Sequence, residues 1–143
     1  MDFISESVAE TSKIASDFAK GLSPSANSAT IVGLYGELGS GKTTFMKYLA
    51  ESFGVKEIIQ SPTFVIEKIY ELTGQPFQHL IHIDTYRIEK DGEMLNLGWL
   101  EIITDPKNLI CVEWADRIAK IMPKHIMIKF EHFRENERKI TIN

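Results

Sequence analysis

The chain has almost no cysteine. Cys111 is the single one among 143 residues, which excludes an intramolecular disulfide framework and fits a reducing compartment. It sits in the apolar run Leu109-Ile110-Cys111-Val112, where the simplest role is that of a small core side chain. Long hydrophobic stretches are also missing. No run approaches the ~20 apolar residues of a membrane span, and the N-terminus carries acids and serines where a secretory signal needs a basic segment and then an apolar one. A cytoplasmic protein without a membrane partner is expected. Nor is there an excess of positive charge, since 16 Lys and Arg against 20 Asp and Glu leave a formal net charge of −4. That offers no whole-domain basic field for a polyanion, so any contact with nucleic acid is expected through a partner. His79, His82, His125 and His132 are scattered, without cysteine or paired-His spacing. A zinc site is not expected, and ordinary strand or surface roles remain for them. Repeats, low-complexity tracts and a dividing linker are absent, and residues 1–143 read as one domain.

What is present is a phosphate-binding motif. Gly36-Glu37-Leu38-Gly39-Ser40-Gly41-Lys42-Thr43 fills G-x-x-x-x-G-K-[ST] at every fixed position. Glycines at 36, 39 and 41 let the backbone take positive φ and turn its N–H groups onto a phosphate. A helix beginning near Lys42 adds the positive end of its dipole. Lys42 supplies a point charge for the β- and γ-phosphates, and the Thr43 hydroxyl is a hard ligand suited to Mg2+. The flanks agree, with Thr30 to Tyr35 reading as a buried strand and Phe45, Met46, Leu49, Ala50 and Phe53 falling on one helical face.

Elsewhere, Ile14, Ala15, Phe18, Ala19 and Leu22 mark a helix face extending back to Val8 and Thr11. Ser7 and Glu10 are spaced as a capping box and Gly21 ends the helix; Ser7 to Thr11 can also approach a nucleotide base. The helix after the phosphate loop runs to about Phe53, with Gly54 as its stop. Thr63 to Tyr70 and Phe77 to Ile83 read as a β-hairpin around Leu72-Thr73-Gly74-Gln75-Pro76. Glu93 to Ile102 is a short, irregular helical pattern interrupted by Gly98. Leu109 to Val112 reads as a strand buried on both faces. A short helix from Ala115 to Ile121 and strands Ile126 to Phe130 and Lys139 to Ile142 complete the chain. The expected fold is α/β, a phosphate-loop NTPase-like, mainly parallel sheet with flanking helices and antiparallel edge strands.

A nucleoside-triphosphate site needs an acid near its metal, usually where an apolar strand ends beside the phosphate loop. Two places qualify, Asp84 after Leu80-Ile81-His82-Ile83 and Glu113 after the Leu109 to Val112 run. Either can be the metal-side acid on sequence alone. The continuous apolar run favours Glu113 beside Mg2+ and leaves Asp84 for the attacking water. Thr63 of Ser61-Pro62-Thr63-Phe64 lies where a loop can reach the γ-phosphate, as a switch residue does. Arg87, Arg134 and Arg138 can each neutralise phosphate charge, with surface ion pairing the simpler role for the last two.

Together, the Gly36 to Phe45 stretch, Ser61-Pro62-Thr63-Phe64, His82-Ile83-Asp84-Thr85-Tyr86-Arg87, Leu97-Gly98 followed by Glu101, and Glu113-Trp114 resemble the bacterial TsaE (YjeE) family, in that family's order. That family is the small ATPase of the threonylcarbamoyladenosine tRNA-modification machinery. The resemblance implies that Gly39, Ser40, Gly41, Lys42, Thr43 and Thr44 cradle the phosphates of ATP or ADP. It further implies that Thr43 and Glu113 hold Mg2+, that Thr63 belongs to a switch-like loop, and that Asp84 is needed for hydrolysis. Tyr86 and Arg87 are implied to order that loop or meet a partner, Trp114 to lie close to the nucleotide, and Thr11 to lie near the base. Ala115 replaces the proline often found after Glu-Trp in the family. The implied partners are TsaB and TsaD subunits, which hydrolysis resets between rounds of tRNA modification. Two other functions fit the same loop: a small-molecule kinase with Asp84 as base, and a nucleotide-sensing module whose turnover is incidental. The guanine-recognition signature Asn-Lys-x-Asp is absent, which favours adenine.

Overall fold

The computed structural model describes residues 1–37, 39–57 and 67–143. In chain order the elements are β1 (Asp2–Ser5), α1 (Val8–Lys20), β2 (Thr30–Tyr35), α2 (Lys42–Ser52), β3 (Glu67–Glu71), β4 (His79–Asp84), α3 (Gly92–Leu95), α4 (Trp99–Ile102), β5 (Asn108–Glu113), a 3-10 helix (Ala115–Ile121), β6 (Ile126–His132) and β7 (Arg138–Ile142). The strands form one seven-stranded sheet in the order β1-β7-β6-β2-β5-β4-β3. Its centre, β6-β2-β5-β4, is parallel, while β1, β7 and β3 join antiparallel at the edges. This is the mainly parallel α/β sheet expected. The part of the expected hairpin before Glu67, with Thr63, lies outside the described residues.

Period-two alternation divides the core. Leu80 of β4 and Leu109 and Cys111 of β5 pack with Ala15 of α1 and Phe45 and Leu49 of α2 on one face. Ile81, Ile83, Ile110 and Val112 pack with Trp99 of α4 and Ile118 on the other. Every residue of β5 is buried, as a strand covered on both faces requires. Along the same lines, His82, Asp84 and Glu113 share the face on which α2 begins.

The helix ends follow local chemistry. Ser7 Oγ accepts from Glu10 N at 3.1 Å, while the Glu10 carboxylate accepts from Glu6 N at 2.7 Å, one residue beyond the Ser7 N–H that the reciprocal bond of a full capping box uses. Gly98, at φ 76°, separates α3 from α4. Four features differ from the sequence reading. β1 had no local signature, β4 starts two residues later at His79, β6 continues two residues further to His132, and the helix after Glu113 is 3-10 with a break at Ile118. Among the described residues, no helix is long and apolar enough to cross a membrane.

Phe45 fixes the first turn of α2 against the sheet, with its ring centroid 6.0 Å from Phe18 and 5.4 Å from Phe130. Phe45→Ala removes this bridge between α1, α2 and β6 and is expected to lower unfolding stability by about 3–5 kcal/mol in a urea titration.

Candidate functional site

Leaving β2 at Tyr35, the chain turns through Gly36 (φ 147°), Gly39 (φ 75°) and Gly41 (φ 105°) before α2 starts at Lys42. At Gly36 no side chain fits, since a Cβ would lie 2.5 Å from the Phe130 carbonyl oxygen and 2.8 Å from Ser40 Oγ. Ser40 is buried, its N–H donates to Glu37 O at 3.2 Å, and its hydroxyl has no partner among the described residues. Lys42 is only 5% exposed. Its ammonium donates to the Gly36 carbonyl and stands 3.4 Å from the centre of the Trp114 ring, a cation–π contact. Burial pushes its pKa down, and the charges of Glu113, Asp84 and Asp116 pull it back up.

The two acids meet at the ends of neighbouring parallel strands, because the register of β4 with β5 sets Asp84 beside Glu113 and that of β2 with β5 sets Leu34 beside Glu113. The phosphate loop begins two residues after Leu34, so its helix opens onto both carboxylates. Glu113 Oε1 faces Thr43 Oγ1 at 3.4 Å, and Glu113 Oε2 accepts from His82 Nε2 at 2.6 Å. Asp84 Oδ1 accepts from Tyr86 N at 2.9 Å, closing a turn that anchors the carboxylate at the strand end. The Thr85 hydroxyl contacts Glu113 O at 3.0 Å and Trp114 O at 2.5 Å. These contacts hold Trp114 in the left-handed region (φ 59°, ψ 41°), an uncommon conformation for a bulky residue. From there its ring lies against Lys42 on one side and 5.1 Å from the Tyr86 ring, which Arg117 covers in turn at 5.0 Å.

A cleft of about 530 Å³ opens over these groups. Its phosphate-loop wall is Gly39, Gly41, Lys42, Thr43 and Thr44; Asp84, Glu113, Tyr86 and Trp114 close the strand-end wall. Thr11, with Ser5, Ser7 and Val8, lines the far side. The structure thus gathers the sequence-derived residues, with two qualifications: Ser40 turns its side chain into the interior, and Thr63 lies outside the described residues. Arg87 is exposed and is not among the residues lining the cleft.

Sequence reasoning missed two contributions. Asn136 (φ 64°), from the β6–β7 turn, also lines the cleft, beside Arg138 at the start of β7, one of the three arginines that the sequence offers for phosphate charge. β7 pairs with β1 so that Arg138 stands opposite Ser5, and no local pattern reports that pairing. His82, read as an ordinary strand residue, is fully buried against Glu113. Two signals pointed to it: its place two residues before Asp84 on the same strand face, and its position at the head of the His82 to Arg87 stretch that carries the resemblance.

The donor set fits a hard divalent cation held jointly with phosphate. One hydroxyl and two carboxylates are all-oxygen ligands, and Mg2+ completes its shell with water and substrate oxygens. No cluster of three or more His, Cys, Asp or Glu of the kind that cages a metal is found among the described residues. Cys111 is buried and its pKa is pushed up by burial and by Glu113, which makes it an inert core thiol. Because of the close approach at Gly36, Gly36→Ala is expected to destabilise by about 1–3 kcal/mol in urea unfolding. Gly39→Ala, where nothing lies within 4 Å, carries only the left-handed backbone cost of roughly 1–2 kcal/mol.

Comparison with known proteins gives a consistent result. The family model described as "Threonylcarbamoyl adenosine biosynthesis protein TsaE" matches residues 5–140. The chain is 38% identical over 112 residues to the tRNA threonylcarbamoyladenosine biosynthesis protein TsaE of Bacillus subtilis (78% of this chain, 67% of the relative). It is 35% identical over 143 residues to the protein of that name from Aquifex aeolicus (99% of this chain, 94% of the relative). The crystal structure of Bacillus subtilus YdiB superimposes with a TM-score of 0.77 at 29% identity, covering 99% of this chain and 83% of that one. The chain belongs to the TsaE family, whose members take part in threonylcarbamoyladenosine biosynthesis on tRNA.

Proposed function

We propose that this protein is a Mg2+-dependent, intrinsically slow ATPase that supports threonylcarbamoyladenosine modification of tRNA in the cytoplasm, working with TsaB and TsaD subunits. The observation that carries the reading is the convergence in one cleft of a phosphate loop with its Lys42, a Thr43–Glu113 pair and a second acid, Asp84. A net charge of −4 agrees with a protein that reaches tRNA only through partners.

Charge balance argues for the cation. Two carboxylates, Asp84 and Glu113, already face Lys42, so a triphosphate entering the cleft brings further negative charge against them. Thr43 and Glu113 would hold a divalent ion against the bound phosphates, where it would supply the missing positive charge. Lys42 leaves the Trp114 face and the Gly36 carbonyl to meet those oxygens. Asn136 of the β6–β7 turn and Arg138 at the start of β7 also line the cleft, where the guanidinium adds positive charge. Asp84 orients the attacking water, and Trp114 shields the phosphates from bulk solvent. The far side, with Thr11 and Val8, receives the adenosine moiety. Thr63, in the Ser61-Pro62-Thr63-Phe64 stretch outside the described residues, is the candidate switch residue for the γ-phosphate.

Three outcomes follow. Lys42→Ala is expected to abolish nucleotide binding in calorimetry, and normal phosphate release by that variant overturns the proposal. Asp84→Asn is expected to retain binding while hydrolysis falls by about 10²–10⁴-fold in a phosphate-release assay. Nucleotide binding is expected to change tryptophan emission as Lys42 leaves the Trp114 ring. That signal disappears in Trp114→Phe, because the other tryptophan, Trp99, is fully buried in the cluster on the opposite face of the sheet.

A further inference from the structure

Glu113 is a carboxylate at 2% exposure, at the end of a strand buried along its whole length. An acid in that position is costly unless its oxygens are paired. Each oxygen has its own neighbour: Oε2 meets His82 Nε2 at 2.6 Å and Oε1 meets Thr43 Oγ1 at 3.4 Å. Because a carboxylate oxygen facing a ring nitrogen at that distance accepts, Nε2 carries the hydrogen.

The other ring nitrogen, Nδ1, is buried with no partner among the described residues. A residue kept only for packing has no reason to bury an orphaned nitrogen on a strand whose neighbours Leu80, Ile81 and Ile83 are aliphatic. Among the described residues the imidazole makes one polar contact, and that contact is with Glu113.

We infer that His82 is a positioning residue for the divalent cation. Resting on the Mg2+–nucleotide reading above, it holds Glu113 Oε2 so that Oε1 alone is presented toward Thr43 and the cleft. The bond fixes the rotation of the carboxylate about its last torsion, which no other side-chain contact shown for Glu113 does as closely. Groups that orient a metal ligand in this way typically set metal affinity by about 10–100-fold.

The test is the Mg2+ enhancement of nucleotide affinity, the ratio of ADP dissociation constants in EDTA and in excess Mg2+, read by titration calorimetry. His82→Met fills the space without a donor. His82→Gln places an amide nitrogen near the position of the imidazole Nε2. His82→Met is expected to reduce the enhancement by about ten-fold with ADP affinity in EDTA unchanged, and His82→Gln to restore most of it. An undiminished enhancement in His82→Met overturns the inference, as does an equal loss in EDTA and in Mg2+, which marks a merely structural role. Glu113→Gln separates the two levels of the argument. Loss of enhancement there but not in His82→Met removes the positioning role and leaves the metal site standing. Full enhancement in Glu113→Gln removes the metal reading and this inference together.

Discussion

The site depends on the burial of β5 between β4 and β2. With every residue of Asn108–Glu113 covered, a one-residue slip would exchange the side chains packed on the two faces of this strand and carry Glu113 off the face it shares with Asp84. That register delivers Glu113 beside Asp84 on one side and Leu34 on the other. The phosphate loop leaves β2 immediately afterwards. A hydrophobic constraint therefore sets the spacing of polar groups that have no means of organising themselves.

The cost of this arrangement is a buried acid, and the surroundings are built to meet it. His82 supplies a short hydrogen bond, Thr43 a hydroxyl, and Lys42 an opposite charge that burial alone would weaken. Thr85 ties the backbone just after Glu113 and holds Trp114 left-handed, so that its ring lies on Lys42. Strained backbone of this kind persists where surrounding contacts over-determine it. Here it places an aromatic face against the phosphate-loop lysine, and continues through Tyr86 and Arg117 toward solvent. The phosphate loop is thereby in contact with an exposed edge of the protein.

Features written in local sequence were legible. The glycine spacing of the phosphate loop, the apolar run of β5, the cap at Ser7 and the break at Gly98 each leave a short-range signature, and each element formed where that signature placed it. What could not be read depends on pairings distant in the chain. β1 is four residues with alternating exposure and no turn chemistry to announce it, and it exists because β7 offers it an edge. Arg138 is brought to the cleft by the pairing of β7 with β6 and β1. His82 looked ordinary because nothing local says that β4 and β5 align to set its ring against Glu113. The strand-end positions already pointed to the roles of Asp84 and Glu113, the resemblance implied the same roles, and the strand register supplies a physical reason for their proximity. Thr63, whose proposed switch role rests on sequence, lies outside the described residues.

The central claim is that Thr43 and Glu113 hold a divalent cation against the phosphates while Asp84 stands on the water side. The most direct measurement is a crystal structure with a non-hydrolysable ATP analogue and Mn2+, with the metal located by its anomalous signal. The account predicts a single peak coordinated by Thr43 Oγ1 and Glu113 Oε1 with phosphate oxygens, and Asp84 separated from it by water. A peak on Asp84 with Glu113 unliganded, or an analogue bound outside the cleft, contradicts it.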